Sequence, residues 1–252
     1  MRKNMAKEKL KSGETIIGTF CELDAPALVE VVGHLGFDFV VIDAEHGPMD
    51  VTACGSLVMA ADNVGLTPIV RVAMNVQQNI LRYLDVGALG VQMPMINTKE
   101  DAEAVVRSVK YPPVGRRGLA PVRAADYGLT SSLSDYVKMA NEETMIITHV
   151  ETLDAVENLP DMLAVSEIDV VFIGPTDLSS SMGYPGEFKH PEVQSMIEKL
   201  GRQIQDGGKA AGVYAGNAED ARRYKQWGFR YITTGVMKLL AQGGQGYLEM
   251  AR

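Results

Sequence analysis

A single (β/α)₈ barrel is the fold predicted by this 252-residue sequence, and three observations carry the prediction. Short apolar, β-branched runs alternate with helix-length amphipathic stretches along the whole chain, and eight such pairs can be counted. No linker or compositional break separates them, which favours one domain, residues 1–252, over two. The dinucleotide-binding alternative lacks its signature. No Gly-x-Gly-x-x-Gly follows the first strand, and Gly243-Gly244-Gln245-Gly246 lies in the last helical region with no strand before it.

Taken in order, 15–20 reads as the first strand and 25–35 as a helix closed by Gly36. Phe39-Val40-Val41-Ile42 is too short for a helix and too apolar for a half-exposed strand, so it reads as a buried parallel strand. A helix over 51–64 follows, capped by Asp50 and ended at Gly65. Further strands are expected at 67–72, 88–93, 145–150, 169–173, 210–214 and 229–233. Helices are expected at 75–86, 99–110, 133–141, 191–205, 218–227 and 236–250, with Gly208 and Gly228 as left-handed helix ends. The stretch 111–130 breaks the alternation with three prolines and Arg116, Arg117 and Arg123. A loop of that length reads as a lid or binding element.

Composition excludes several classes of function. A net charge of −8 without a Lys/Arg-rich run leaves no footprint for nucleic acid or an anionic membrane surface. The longest apolar runs are of strand length and no basic-then-apolar leader is present, so the expectation is a soluble cytoplasmic protein without a membrane span. Cys21 and Cys54 have no metal-ligand spacing and read as reduced core residues.

A barrel of this kind keeps its chemistry at the C-terminal ends of its strands. Those ends carry Glu22 and Asp24, then Asp43, Glu45 and His46, then Arg71, Gln92, His149 with Glu151, and Thr176 with Asp177. Three charged or titratable groups in DAEH, where a buried strand stops, suggest a site, since charge is costly to bury unpaired. No strand end bears a lysine, and Lys209 touches the seventh strand only at its start, so Schiff-base chemistry is poorly supported. No Gly-x-Ser-x-Gly elbow or Cys–His pair is present either. Glu151 and Asp177, on adjacent strand ends, would suit Mg²⁺ or Mn²⁺ in preference to the alternative, pairing with arginines such as Arg71. His149 shares a strand face with Glu151 and could be a third ligand, a substrate contact or a core histidine. His34 and His190 read as surface or capping residues. The loop arginines either bind a carboxylate on a substrate or serve as solvated or intersubunit charges.

The blocks IDAEHGPMD, PIVRV, YLDVGALGVQMPM, YPPVGRRG, VETLDAVENL and VFIGPTDLSSSMGYPGEFKHPEV together resemble, in order and over nearly the whole chain, the HpcH/HpaI family of metal-dependent class II pyruvate aldolases. The resemblance implies a barrel with its last helix exchanged between subunits of a homohexamer. It also implies reversible cleavage of a 4-hydroxy-2-oxo acid to pyruvate and an aldehyde. It places the divalent metal (Mg²⁺ or Mn²⁺, with Co²⁺ a further candidate) on Glu151 and Asp177 and makes His46 the general base. Asp85 would raise the basicity of His46, Asp43 would be a neighbouring helper, and Arg71 would stabilise the enolate. The substrate-facing set is Arg71, His149, Thr176 and Asp177. His149 stands where relatives often carry glutamine and Thr176 where some carry alanine, departures that bear on the substrate. Two other functions are compatible with this set: a synthase that uses oxaloacetate, and a non-catalytic metabolite-binding barrel.

Overall fold

The computed structural model describes residues 1–252 and shows a closed barrel of eight parallel strands in sequence order. The strands are β1 (Ile16–Cys21), β2 (Phe39–Asp43), β3 (Thr67–Arg71), β4 (Gly90–Met93), β5 (Met145–Val150), β6 (Val170–Ile173), β7 (Ala210–Tyr214) and β8 (Tyr231–Gly235). All eight expected strands form. The ring closes where β1 pairs with β8, Gly18 opposite Thr233 and Phe20 opposite Gly235. Around it run α1 (Met5–Lys11), α2 (Pro26–His34), α3 (Val51–Asn63), α4 (Gln77–Asp85), α5 (Lys99–Val109), α6 (Leu133–Glu143), α7 (Leu153–Glu157), α8 (Leu159–Leu163), α9 (Pro175–Ser181), α10 (Pro191–Asp206), α11 (Ala218–Gln226) and α12 (Val236–Ala251).

Local chemistry sets the boundaries. The Asp50 side chain accepts from the Ala53 N–H to start α3, and Thr98 with Asp101 forms a reciprocal capping box on α5. Gly36, Gly65, Gly208 and Gly228 all have φ between 72° and 90°, the left-handed geometry expected of them at helix ends.

Strand alternation divides the apolar side chains into two cores. Val40, Ile42, Val70, Val91 and Val171 point outward under the helices. Ile16, Phe20, Phe39, Val41, Ile69, Ile147, Phe172 and Tyr231 fill the barrel. Ala6 and Leu10 of α1 close its floor, and the Lys7 ammonium bonds the Thr144 carbonyl and Asp169 there. This helix was not expected from the sequence, because seven residues alternating Lys and Glu with apolar groups give a weak periodic signal. Nor were α7, α8 and α9, each seven residues or fewer and two of them opened by a proline.

The loop at 111–130 does not cover the mouth of its own barrel. It follows α5, and helices run back from the mouth to the base, so the loop starts at the far end from the strand C-termini. There Arg117 is buried against Asp85 and the Tyr136 hydroxyl and lies over the Tyr111 ring, while Arg123 bonds Asp62 and the Val86 carbonyl. Both arginines are spent on structural pairs. Arg116 is exposed, and its carbonyl accepts from Gln77.

The last helix stands apart from the barrel. Of α12 only Val236 is buried, while Met237, Leu240, Tyr247, Leu248 and Met250 are exposed. On the outer face of β1, Ile17 is 43% exposed, where a barrel strand would ordinarily be roofed by a helix.

Inside the barrel, a Cβ at Gly18 would overlap the Phe39 ring, which stacks on Tyr231 with centroids 4.3 Å apart. Overpacking of this kind costs about 1–3 kcal/mol. For a domain of this size Gly18→Ala is expected to lower Tm by roughly 2–4 °C per kcal/mol, measured by differential scanning calorimetry. An unchanged Tm would show that the ring has room to move.

Candidate active site

A cavity of about 470 Å³ opens at the C-terminal mouth of the barrel, lined by Glu22, His46, Arg71, Glu151, Thr176 and Asp177 among others. Strands β1, β2, β3, β5 and β6 each deliver at least one of these side chains from their last residue or the turn beyond it. Four of the sequence-selected groups, His46, Arg71, Glu151 and Asp177, therefore meet at one place, although 131 positions separate the first from the last (177 − 46).

The best-anchored group is Arg71. Its Nε donates to Asp43 Oδ1 at 2.9 Å and its NH2 to Asp43 Oδ2 at 2.6 Å, while NH1 lies 3.3 Å from Glu45 Oε2. The guanidinium carbon sits 4.7 Å from the centroid of the Phe20 ring. A guanidinium has more N–H groups than these partners use, so donors remain for a ligand. Asp43 is only 1% exposed and does not line the cavity. Its second duty is to accept from the backbone N–H groups of Glu45 and His46, which shapes the turn carrying His46. Burial opposes ionisation of Asp43, yet the bonds from Arg71 and these two N–H groups outweigh it and hold the carboxyl below its ordinary range. Glu45 and Glu22 respond differently. For both, burial dominates and pushes the carboxyl up.

Glu151 is 4% exposed, and both of its oxygens are matched. Oε1 accepts from the Met95 N–H at 2.7 Å, and Oε2 lies 2.8 Å from His149 Nδ1. Burial pushes this carboxyl up, but His149, the Met95 N–H and the Arg71 charge together hold it below its usual range. Met95 presents its N–H from a left-handed backbone, φ 53°, a conformation that costs a non-glycine residue on the order of 1 kcal/mol. Gly174 keeps the other side open, since a Cβ there would come within 2.7 Å of Glu151 Oε2. Asp177, in the first turn of α9, is exposed toward the same cavity.

Glu151 and Asp177 line the same cavity, and carboxylate oxygens are the hard donors that Mg²⁺ or Mn²⁺ takes. No third His, Cys, Asp or Glu completes a three-residue cluster. Such a site suits a cation that retains waters and accepts substrate oxygens.

Other sequence-selected residues fall elsewhere. His46 is 67% exposed at the rim, with Nε2 3.8 Å from Glu45 Oε2. Asp85 is not brought to the mouth: it ends α4 at the base, where its Oδ1 accepts from Arg117 at 2.8 Å. Both ring nitrogens of His149 are engaged, one by Glu151 and the other by Gln92. Thr176 lines the cavity with an exposed side chain. His34 is exposed, and His190 caps α10 and stacks on Tyr184, in keeping with their reading as surface and capping residues. Met95, Gly174, Phe20 and Tyr214 were not foreseen as site residues. The Met95 backbone leaves no trace in the sequence, whereas Gly174-Pro175 is legible there as the end of the sixth strand, though not as a group shaping the site.

The sequence matches the HpcH/HpaI aldolase/citrate lyase family over residues 16–242. It is 38% identical over 245 residues to a 4-hydroxy-2-oxo-heptane-1,7-dioate aldolase of Klebsiella pneumoniae, covering 96% of this chain and 91% of that one. A crystal structure of an HpcH/HpaI aldolase/citrate lyase family protein from Burkholderia cenocepacia superposes with a TM-score of 0.93 at 32% identity, covering 99% of both chains. The citrate synthase SbnG superposes with a TM-score of 0.84 at 28% identity, covering 98% of both.

Removing one partner of a buried ion pair costs about 3–5 kcal/mol, so Asp43→Ala is expected to lose that much stability at pH 7 by urea denaturation. Because the folded Asp43 carboxyl is depressed, the unfolded chain binds the extra proton. The contribution is complete above the ordinary carboxyl value of 3.8 and is lost as pH falls below it. The gap between Asp43→Ala and wild type should therefore narrow in that acid window. A gap that widens there would contradict the assignment.

Proposed function

The chain belongs to the HpcH/HpaI aldolase/citrate lyase family, and we propose that it is a divalent-metal-dependent aldolase, a carbon–carbon lyase that reversibly cleaves a 4-hydroxy-2-oxo acid to pyruvate and an aldehyde. The observation that carries this reading is the gathering of Glu151, Asp177, Arg71 and His46 around one cavity whose lining includes no lysine. Glu151 and Asp177 would hold the cation, Mg²⁺ or Mn²⁺, with Co²⁺ a further candidate. When bound, it supplies positive charge to offset the negative charge that grows on the keto oxygen of pyruvate.

The chain's own groups do the rest. Arg71, oriented in advance by Asp43, Glu45 and Phe20, offers its remaining N–H donors to the same oxygen, so little reorganisation accompanies the charge as it forms. His46 moves the proton, taking it from C3 of pyruvate in the synthesis direction and returning it there in cleavage; imidazole is the side chain most often used in such transfers. Asp43 serves both by fixing the guanidinium and the turn beneath His46. Thr176 and Asp177 face the substrate from the first turn of α9. His149, with both nitrogens committed, acts through Glu151. Asp85 assists His46 only from a neighbouring copy of the chain, since within one chain it lies at the base against Arg117.

A homo-oligomer is favoured by the apolar face of α12 together with the unroofed Ile17, which an exchanged helix would cover. On the family resemblance, we take this oligomer to be a hexamer. No helix is long and apolar enough to cross a membrane, and two buried free thiols suit the reducing cytoplasm. A second reading, condensation or decarboxylation of oxaloacetate, is favoured by the likeness to the citrate synthase SbnG. It would use the same cavity.

Chelation is expected to abolish pyruvate release from 4-hydroxy-2-oxo acids in a coupled assay, and Mn²⁺ or Mg²⁺ to restore it. Activity unchanged by chelation would refute the metal requirement. Turnover of oxaloacetate in the absence of aldol cleavage would decide for the second reading. His46→Ala is expected to lower kcat about 10²–10⁴-fold, and Arg71→Lys, which loses the bidentate fork, to lower kcat more than it raises KM. Exchange of pyruvate C3 hydrogens for deuterium, followed by NMR, checks the proton-transfer step without an aldehyde. Persistence of that exchange in His46→Ala would remove the histidine from its role.

A further inference from the structure

Polar groups cross the apolar interior of the barrel in one unbroken chain that ends on Glu151. Tyr231 of β8 and Gln92 of β4 stand on opposite walls, with Tyr231 Oη 2.8 Å from Gln92 Oε1. Gln92 Nε2 is 2.8 Å from His149 Nε2, and His149 Nδ1 is 2.8 Å from Glu151 Oε2. Tyr231 and Gln92 are wholly buried and His149 nearly so. Aromatic rings wall the chain in: Phe39 stacks on Tyr231, and Phe172 lies edge-on to Tyr231 and 4.8 Å from the His149 ring. The tyrosine reaches across because Gly212 beside it has no side chain; a Cβ there would sit 3.0 Å from Phe172 and 3.1 Å from Tyr231.

Hydrogen positions follow from satisfying every member. With Glu151 ionised, the hydrogen shared with His149 belongs on Nδ1. A neutral imidazole then turns a bare Nε2 toward Gln92, which must offer its amide nitrogen and so points Oε1 at Tyr231, whose hydroxyl donates. Turning the amide over would demand hydrogens on both ring nitrogens and leave the tyrosine hydrogen with no acceptor in an apolar interior. Only one direction, Tyr231 to Gln92 to His149 to Glu151, satisfies all four.

We propose that Tyr231 and Gln92 hold the His149 ring by its Nε2 edge, keeping the Nδ1–H that Glu151 selects aimed at that carboxylate, and that this relay orients Glu151 for a divalent cation. The three are positioning residues, and the proposal rests on the reading of Glu151 as a cation ligand. Hydrogen-bonding partners behind a metal ligand are typically worth about 10–100-fold in metal affinity. Sequence alone hides the relay, because Gln92 and Tyr231 lie 139 residues apart and each sits in an apolar strand.

The test combines two measurements on the full-length, cation-free protein. Long-range ¹H–¹⁵N correlation on ¹⁵N-histidine-labelled protein reports the tautomer, and with four histidines in the chain His149 is assigned by its loss in His149→Gln. Mn²⁺ titration followed by electron paramagnetic resonance reports affinity. Wild type is expected to show the neutral Nδ1–H form. Tyr231→Phe, which removes a single oxygen, and Gln92→Leu should both leave the hydrogen on Nδ1, where Glu151 accepts it, but move the Nε2 resonance toward that of an unbonded ring nitrogen and weaken Mn²⁺ binding roughly tenfold. His149→Gln, whose amide supplies a donor and an acceptor, should bind Mn²⁺ more tightly than His149→Leu. An Nε2–H or doubly protonated ring in wild type overturns the proposal, as does Mn²⁺ affinity unchanged in Tyr231→Phe. Should Gln92→Leu fail to fold, Tyr231→Phe decides. A wild type that does not bind Mn²⁺, or an Asp177→Asn variant that binds it equally well, refutes the metal reading itself. The tautomer spectra would then show separately whether the relay exists.

Discussion

Keeping a buried carboxylate ionised is the constraint on which this site depends. Glu151 directly follows a strand whose residues are all buried, where an unmatched charge would cost several kcal/mol and the group would take up a proton instead. Three features prevent that: a backbone N–H from Met95, a ring nitrogen from His149, and the nearby charge of Arg71. Each is supplied by a different strand or by the turn beyond one. The barrel's closure is what makes them neighbours, because parallel strands in a ring aim all their C-terminal ends at one mouth.

Arg71 solves the same problem with the opposite sign. Asp43 grips it in a two-pronged pair, with Glu45 on another edge and Phe20 over its face. Acidic groups thereby serve two ends in one cavity. Asp43 is spent on holding a cation of the protein's own, whereas Glu151 and Asp177 line the cavity itself. The strain at Met95, the missing side chain at Gly174 and the glycines that admit Phe39 and Tyr231 are local concessions to that arrangement.

Much of this was legible in the sequence because it depends on short-range pattern. FVVI followed by DAEH marks a buried strand ending in charge, and seven other apolar runs at helix-length intervals mark the barrel. The short helices α1, α7, α8 and α9 escaped because seven residues or fewer carry too little periodicity. The loop at 111–130 suggests a lid or binding element by its length and arginines, yet a connection that leaves the C-terminus of a helix belongs at the base of its own barrel. There Arg117 meets Asp85 and Arg123 meets Asp62.

What the sequence determined by itself was the barrel, its eight strands and the residues at their ends, since side-chain alternation and helix caps are local properties of the chain. Only the tertiary structure decided which of those residues share a space. It joined Gln92 and Tyr231 to His149 across the barrel, gave Asp43 to Arg71, and carried Asp85 away to the base. The reason is physical: a hydrogen bond depends on the distance between two atoms, and chain position fixes that distance only within a turn or two.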